Sequence, residues 1–148
     1  MKANRLKWFL VFLLASAVFE LPAQQSEADR KMLAEIRAQA EKGDAQSQSE
    51  LGNTFYLGSL GVEKDAVEAA KWFCKAAKQN HADAQYNLGV CYDKGQGVVK
   101  DYVEAYKWSL LSAEQGIELA REPIPALEAR MTREQIAEGQ KLAHSSKP

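Results

Sequence analysis

Acid–base, nucleophilic and metal chemistry all require particular side chains brought together, and this 148-residue chain offers few candidates. They are His81, His144, Cys74 and Cys91, with serines and carboxylates scattered outside any motif. A catalytic centre needs a nucleophile, a base and an orienting group, or a set of metal ligands. Neither histidine has a Cys, Ser or carboxylate motif beside it, and HExxH, GxxxxGK(S/T) and GxSxG are absent. His81 reads as a turn residue, and His144 as the end of a terminal helix beside a tail, 145–148, expected to be disordered. The cysteines form no CxxC and no Cys/His cluster, which argues against a structural metal site. With 19 Lys+Arg against 20 Asp+Glu, and no basic excess after residue 10, the chain has no electrostatic basis for binding nucleic acid. The expectation is a protein that is not an enzyme and that uses no cofactor and no metal.

The elements around these residues come as a repeat. Leu51, Gly52, Phe55 and Gly58 correspond to Leu88, Gly89, Tyr92 and Gly95 at an offset of 37. After one extra loop residue the offset becomes 36, and eleven identities follow, from Gly61/Gly97 through Asp65/Asp101, Glu68/Glu104 and Trp72/Trp108 to Gln79/Gln115. Each unit reads as two helices joined by a glycine turn, the first near 45–57 and 82–94. The second opens at Asp65 or Asp101, where a glutamate three residues on could complete a capping box. Gly52 and Gly89 allow a partner helix to approach closely, and Trp72 and Trp108 offer bulk to fill the space between helices. One such pair cannot bury its own faces, so units must stack in series.

These residues resemble the Sel-1-like repeat family, a tetratricopeptide-like α/α repeat. The family pattern is met almost in full by Ala84 through Gly116 and, with small departures, by Ser47 through Asn80. Asn80 stands where the family has Gly, Ser47 replaces an Ala, and Leu111-Ser112 interrupts the usual Lys-Ala-Ala. The resemblance implies an all-α helical-repeat solenoid that serves as a protein-interaction scaffold, with first-helix surfaces lining a concave face. In the second unit Tyr86, Val90 and Asp93 recur at helical spacing away from Leu88 and Tyr92. Ser49, Asn53 and Tyr56 are their counterparts in the first, and a surface tyrosine suits binding through its area and polar tip. The expected partner is a protein or peptide. The alternative is a binder or hydrolase of cell-wall or β-lactam compounds, a role attributed to cysteine-rich relatives. This chain has neither their regular cysteine pairs nor a Ser-x-x-Lys ahead of a helix.

The flanks extend the array. Residues 24–43 place Met32, Leu33, Ile36 and Ala40 on one side of a helix, as the second half of a degenerate unit. Residues 44–80 and 81–116 are the repeats, and 117–144 form C-terminal capping helices. Among these, Pro123 and Pro125 interrupt helix structure near Arg121, and Thr132 with Gln135 opens the last helix. Its segment MTREQIAEGQKLA resembles the terminal helix of bacterial family members.

The first residues read as an export signal. Lys2, Arg5 and Lys7 precede the uncharged run 8–19, which is shorter than the roughly 20 residues a membrane-spanning helix needs. Cleavage is expected after Ala23, with Ala17 as the second site, giving a periplasmic or secreted protein with no membrane segment. Loss of 1–23 would leave 16 Lys+Arg against 19 Asp+Glu, a formal charge of −3. Export would place Cys74 and Cys91 in an oxidising compartment, where a disulfide can form. Their register across the 80–82 turn is off by about 6 Å, near the limit of disulfide reach. The other reading makes Cys91 a buried apolar residue and Cys74 a partly exposed thiol.

Overall fold

The computed structural model describes residues 25–146. Seven α-helices follow one another among them: α1 (Glu27–Glu41), α2 (Ala45–Leu57), α3 (Ala66–Lys78), α4 (Ala82–Lys94), α5 (Tyr102–Glu114), α6 (Ile124–Glu128) and α7 (Arg133–Ser145). A 3-10 turn at Glu118–Ala120 separates α5 from α6. Helices α2 and α3 form one packed pair and α4 and α5 the next. Helix α1 packs on α2, α3 on α4, and α7 closes the far end against α5, so the core runs along the stack as in an α/α solenoid. The export signal at 1–23 lies outside the described residues.

Aspartates start the repeat helices. Asp65 accepts from the Glu68 N–H at 2.9 Å, and Asp101 from the N–H groups of Val103 and Glu104 at 2.9 and 3.1 Å. The reciprocal half of each expected capping box is missing. The backbone N–H of Asp65 already donates to the Phe55 carbonyl, and that of Asp101 to the Tyr92 carbonyl, so the first helix of each unit has taken the donor. The freed glutamates act elsewhere: Glu68 pairs with Lys71 at 3.0 Å, while Glu104 pairs with Lys107 at 2.8 Å and accepts from Trp108 Nε1 at 2.9 Å. Complete capping boxes occur at Thr132/Gln135, as expected, and at Ser26/Asp29.

Small residues set the helix spacing. A Cβ added to Gly52 would come within 2.6 Å of two Phe73 ring carbons, so the ring lies directly on the α2 backbone. The deepest aromatic side chains are Phe73 and Tyr106, each 1% exposed; Trp108 is also buried, but Trp72 stays half-exposed with Lys75 Nζ 3.7 Å from its ring centre. Repeated glutamines tie the units together. Gln79 Nε2 donates to Gln48 Oε1 at 2.8 Å, and its counterpart Gln115 donates to Gln85 Oε1 at 2.7 Å. Gln48 and Gln85 in turn donate to the Ala40 and Ala77 carbonyls, which satisfies buried amides that would otherwise cost stability. Asn80 adopts the left-handed cap, φ +63°, and its Oδ1 accepts from both Gln85 and Gln115.

The flanks dock through a few apolar and small residues. On α1, Leu33 and Ala40 are buried and Ile36 packs beside them, but Met32 is 52% exposed because it falls at the edge of the stripe. On α7 the buried positions are Gly139 and Ala143; Gly139 lets the Tyr106 ring approach. The Tyr106 hydroxyl donates to Glu128 Oε1 at 2.7 Å, tying α5 to α6. Ser112, which breaks the family pattern, is fully buried and donates to the Ala82 carbonyl at 2.8 Å.

Candidate functional site

Three of the six proposed contact residues come together. Tyr86, Val90 and Asp93, on successive turns of α4, line a hollow of about 300 Å³ whose far wall is Leu119, Pro123 and Leu127. Ser109 and Gly89 lie at its base, and Lys94 and Glu122 also border it. An adjoining hollow of about 250 Å³ shares Tyr86, Val90 and Lys94 and is bounded by Tyr56 and Phe73. The Asp93 carboxylate sits 3.4 Å from Arg130 Nη1, a surface pair.

The first-unit candidates are more committed to the fold. Ser49 is 3% exposed and unavailable to a partner. Tyr56 is half-buried: its hydroxyl donates to Gln96 Oε1 at 2.8 Å and its ring centre lies 6.3 Å from that of Phe73. Asn53 is exposed, yet its Oδ1 accepts from Asn87 Nδ2 at 3.1 Å, bridging α2 and α4. Sequence periodicity missed the far wall because Leu119, Pro123 and Leu127 lie in the proline-broken segment after the repeats. The one available signal was Ser109, which stands where the first unit has Phe73.

The histidines are accounted for separately. His81 caps α4: its Nδ1 accepts from the Ala84 N–H at 3.3 Å, and its Nε2 lies 2.8 Å from Gln46 Oε1. His144 is exposed on the last turn of α7. Among the described residues no group of three or more His, Cys, Asp or Glu side chains is placed to hold a metal ion, and no helix is long and apolar enough to cross a membrane.

Both cysteines are free thiols in this structure. Cys91 is enclosed in the core, while Cys74 borders a shallow hollow with Val67 and Tyr92. Burial pushes the Cys91 thiol up from 9.0 to about 11. Iodoacetamide at neutral pH should therefore modify Cys74 in the native protein and Cys91 only on unfolding, as read by mass spectrometry of timed samples. Equal rates at the two sites would contradict this. Because the folded state holds the Cys91 proton more tightly, the stability it contributes is complete below pH 9.0 and is lost as pH rises towards about 11. Cys91→Ala should flatten that alkaline decline.

The Sel1 repeat family matches residues 45–81 and 82–117. A solved Sel1 repeat protein from Oxalobacter formigenes is 34% identical, with a TM-score of 0.60 over 69% of this chain and 86% of its own. The chain belongs to the Sel1-repeat family.

This Sel1-repeat protein is also similar to c5321, a protective antigen of uropathogenic Escherichia coli displaying an SLR fold, at 32% identity and a TM-score of 0.76. That likeness covers 84% of this chain and 27% of c5321. A curated plant relative, the ERAD-associated E3 ubiquitin-protein ligase component HRD3A of Arabidopsis thaliana, is 34% identical over 60 residues, 40% of this chain. The Sel1-repeat protein spans only 9% of that relative's length in the match. Sel1 repeats form a scaffold fold that generally mediates protein–protein interaction and is generally non-catalytic.

Proposed function

We propose that this protein is an exported, non-enzymatic scaffold that holds a protein or peptide partner on the concave face formed by its first helices, α2 and α4. The observation that carries the reading is the pair of adjoining hollows around Tyr86 and Val90, where a half-exposed aromatic stands over apolar ground. Interfaces concentrate their energy in such residues, typically about 2 kcal/mol or more for an anchoring tyrosine. Export rests on the basic and apolar pattern before Ala23; the mature protein should begin at Gln24, which N-terminal sequencing of the secreted or periplasmic material checks.

Affinity capture from the matching extracytoplasmic fraction tests the face. Wild-type bait should retain a partner, and Tyr86→Ala should weaken retention by about tenfold or more, with an unchanged thermal melt. Equal retention would exclude the Tyr86 face, and no partner above background would remove the scaffold reading. Turnover of a chromogenic β-lactam would instead favour the hydrolase alternative.

A further inference from the structure

The first helices of the two units start on different kinds of cap. Asp44 opens α2 and accepts from the Ser47 N–H at 2.7 Å; at the repeat offset of 37, the same place before α4 holds His81. Hydrogen bonds from Ser47, side chain first and then backbone, hold the Asp44 carboxyl below its ordinary value, so this cap stays charged well into acid. An imidazole caps only through a ring nitrogen that carries no proton.

The contacts of His81 decide which nitrogen that is. Gln46 Nε2 donates to Glu50 Oε1 at 2.8 Å, which turns the Gln46 carbonyl oxygen to the ring, 2.8 Å from His81 Nε2. An oxygen there accepts, so Nε2 carries the hydrogen and Nδ1 keeps its lone pair for the Ala84 N–H at 3.3 Å. Ala84 is buried and is the third residue of α4, within the first turn, whose N–H groups find no carbonyl of their own helix. The ring is the partner that this donor has.

Protonation fills Nδ1. The new N–H then meets the Ala84 N–H, donor against donor, at the positive end of α4. Charged side chains adjoin the ring from three helices: Asp44 before α2, with Glu50 behind Gln46; Lys78 at the end of α3; and Asp83 in the first turn of α4. Asp44 is close enough for a charge on His81 to act on its carboxyl. The imidazolium therefore exchanges a helix bond for an attraction across the unit boundary, and the change falls on the first turn of α4 rather than on the whole fold.

We infer that His81 is an acid-released cap, which holds the first turn of α4 when neutral and frees it when protonated. The inference stands on the cap geometry and does not rest on the partner-binding reading. It bears on that reading because α4 is the helix that carries Tyr86, Val90 and Asp93.

NMR of the full chain between about pH 8 and about pH 5, the range in which an imidazole changes charge, tests the device. In the neutral ring the nitrogen shifts should mark Nε2 as protonated and Nδ1 as the acceptor. As the ring titrates, the hydrogen-exchange protection of Ala84, corrected for the intrinsic rate, should fall by about fivefold or more in step with it. Protection of Ser47, under Asp44, should hold steady. His81→Asn supplies a cap that does not titrate and should leave Ala84 level across the range. A proton on Nδ1 in the neutral ring, an Ala84 amide that ignores the ring titration, or a response that survives His81→Asn would overturn the inference. Parallel loss of protection at Ser47 would assign the effect to general loosening in acid and overturn it too.

Discussion

Gly97→Ala should destabilise the protein by about 3 to 5 kcal/mol, measured by urea denaturation. Gly97 adopts φ +74°, a left-handed conformation that costs an L-residue about 1–2 kcal/mol. The larger part is steric, since a Cβ there would drive into the Ala66 carbonyl at the start of α3. Backbone at a helix start cannot rotate aside, so the loop of the second unit would have to lift off the first. Gly61 is the control. It has the same φ of +74°, but the atoms nearest its Cβ would be those of the Gln25 side chain, which can swing away at the loss of its hydrogen bond to the Leu60 carbonyl. Gly61→Ala should cost about 1–2 kcal/mol, close to the backbone penalty alone. Equal losses for the two substitutions would show that the contact between units contributes little.

Phe73→Ala should cost about 3–5 kcal/mol, the range for deleting a buried aromatic ring that leaves a cavity. The loss should be coupled to Gly52. In the wild type, Gly52→Ala would push a methyl to 2.6 Å from the ring and be destabilising by about 1–3 kcal/mol. Without the ring, the same substitution should become neutral or favourable, because alanine is preferred over glycine inside a helix by up to about 1 kcal/mol. A double-mutant cycle with thermal melts reads this sign change directly. Additive effects would mean that the ring does not rest on the α2 backbone.

The repeat was legible because each unit touches mainly its neighbours, so the residues that make those contacts recur at fixed offsets in the chain. The helices 45–57 and 82–94, the capping aspartates and the left-handed Asn80 all follow from local rules of period, capping and φ. Surface assignments were less secure. Helical spacing placed Ser49 with the exposed set, yet it lies in the packed interior, and Met32 was placed in the core stripe but faces out. Spacing orders positions around a helix axis, but it does not say how wide an arc the neighbouring helix covers.

Long-range contacts decided what periodicity could not. The capping boxes at Asp65 and Asp101 close by half because carbonyls of the preceding helix, Phe55 and Tyr92, reach the donors first. Cys74 and Cys91, on adjacent helices, are free thiols that differ in burial, a difference set by what packs over each. The hollow beside Tyr86 needs α4, Ser109 and the segment from Leu119 to Leu127 to converge. Local sequence was therefore sufficient for the family, the helices and the stacking order, since each depends on near neighbours. The hollow proposed as a contact surface required the tertiary structure, because its shape depends on what the last repeat meets where the regular pattern ends.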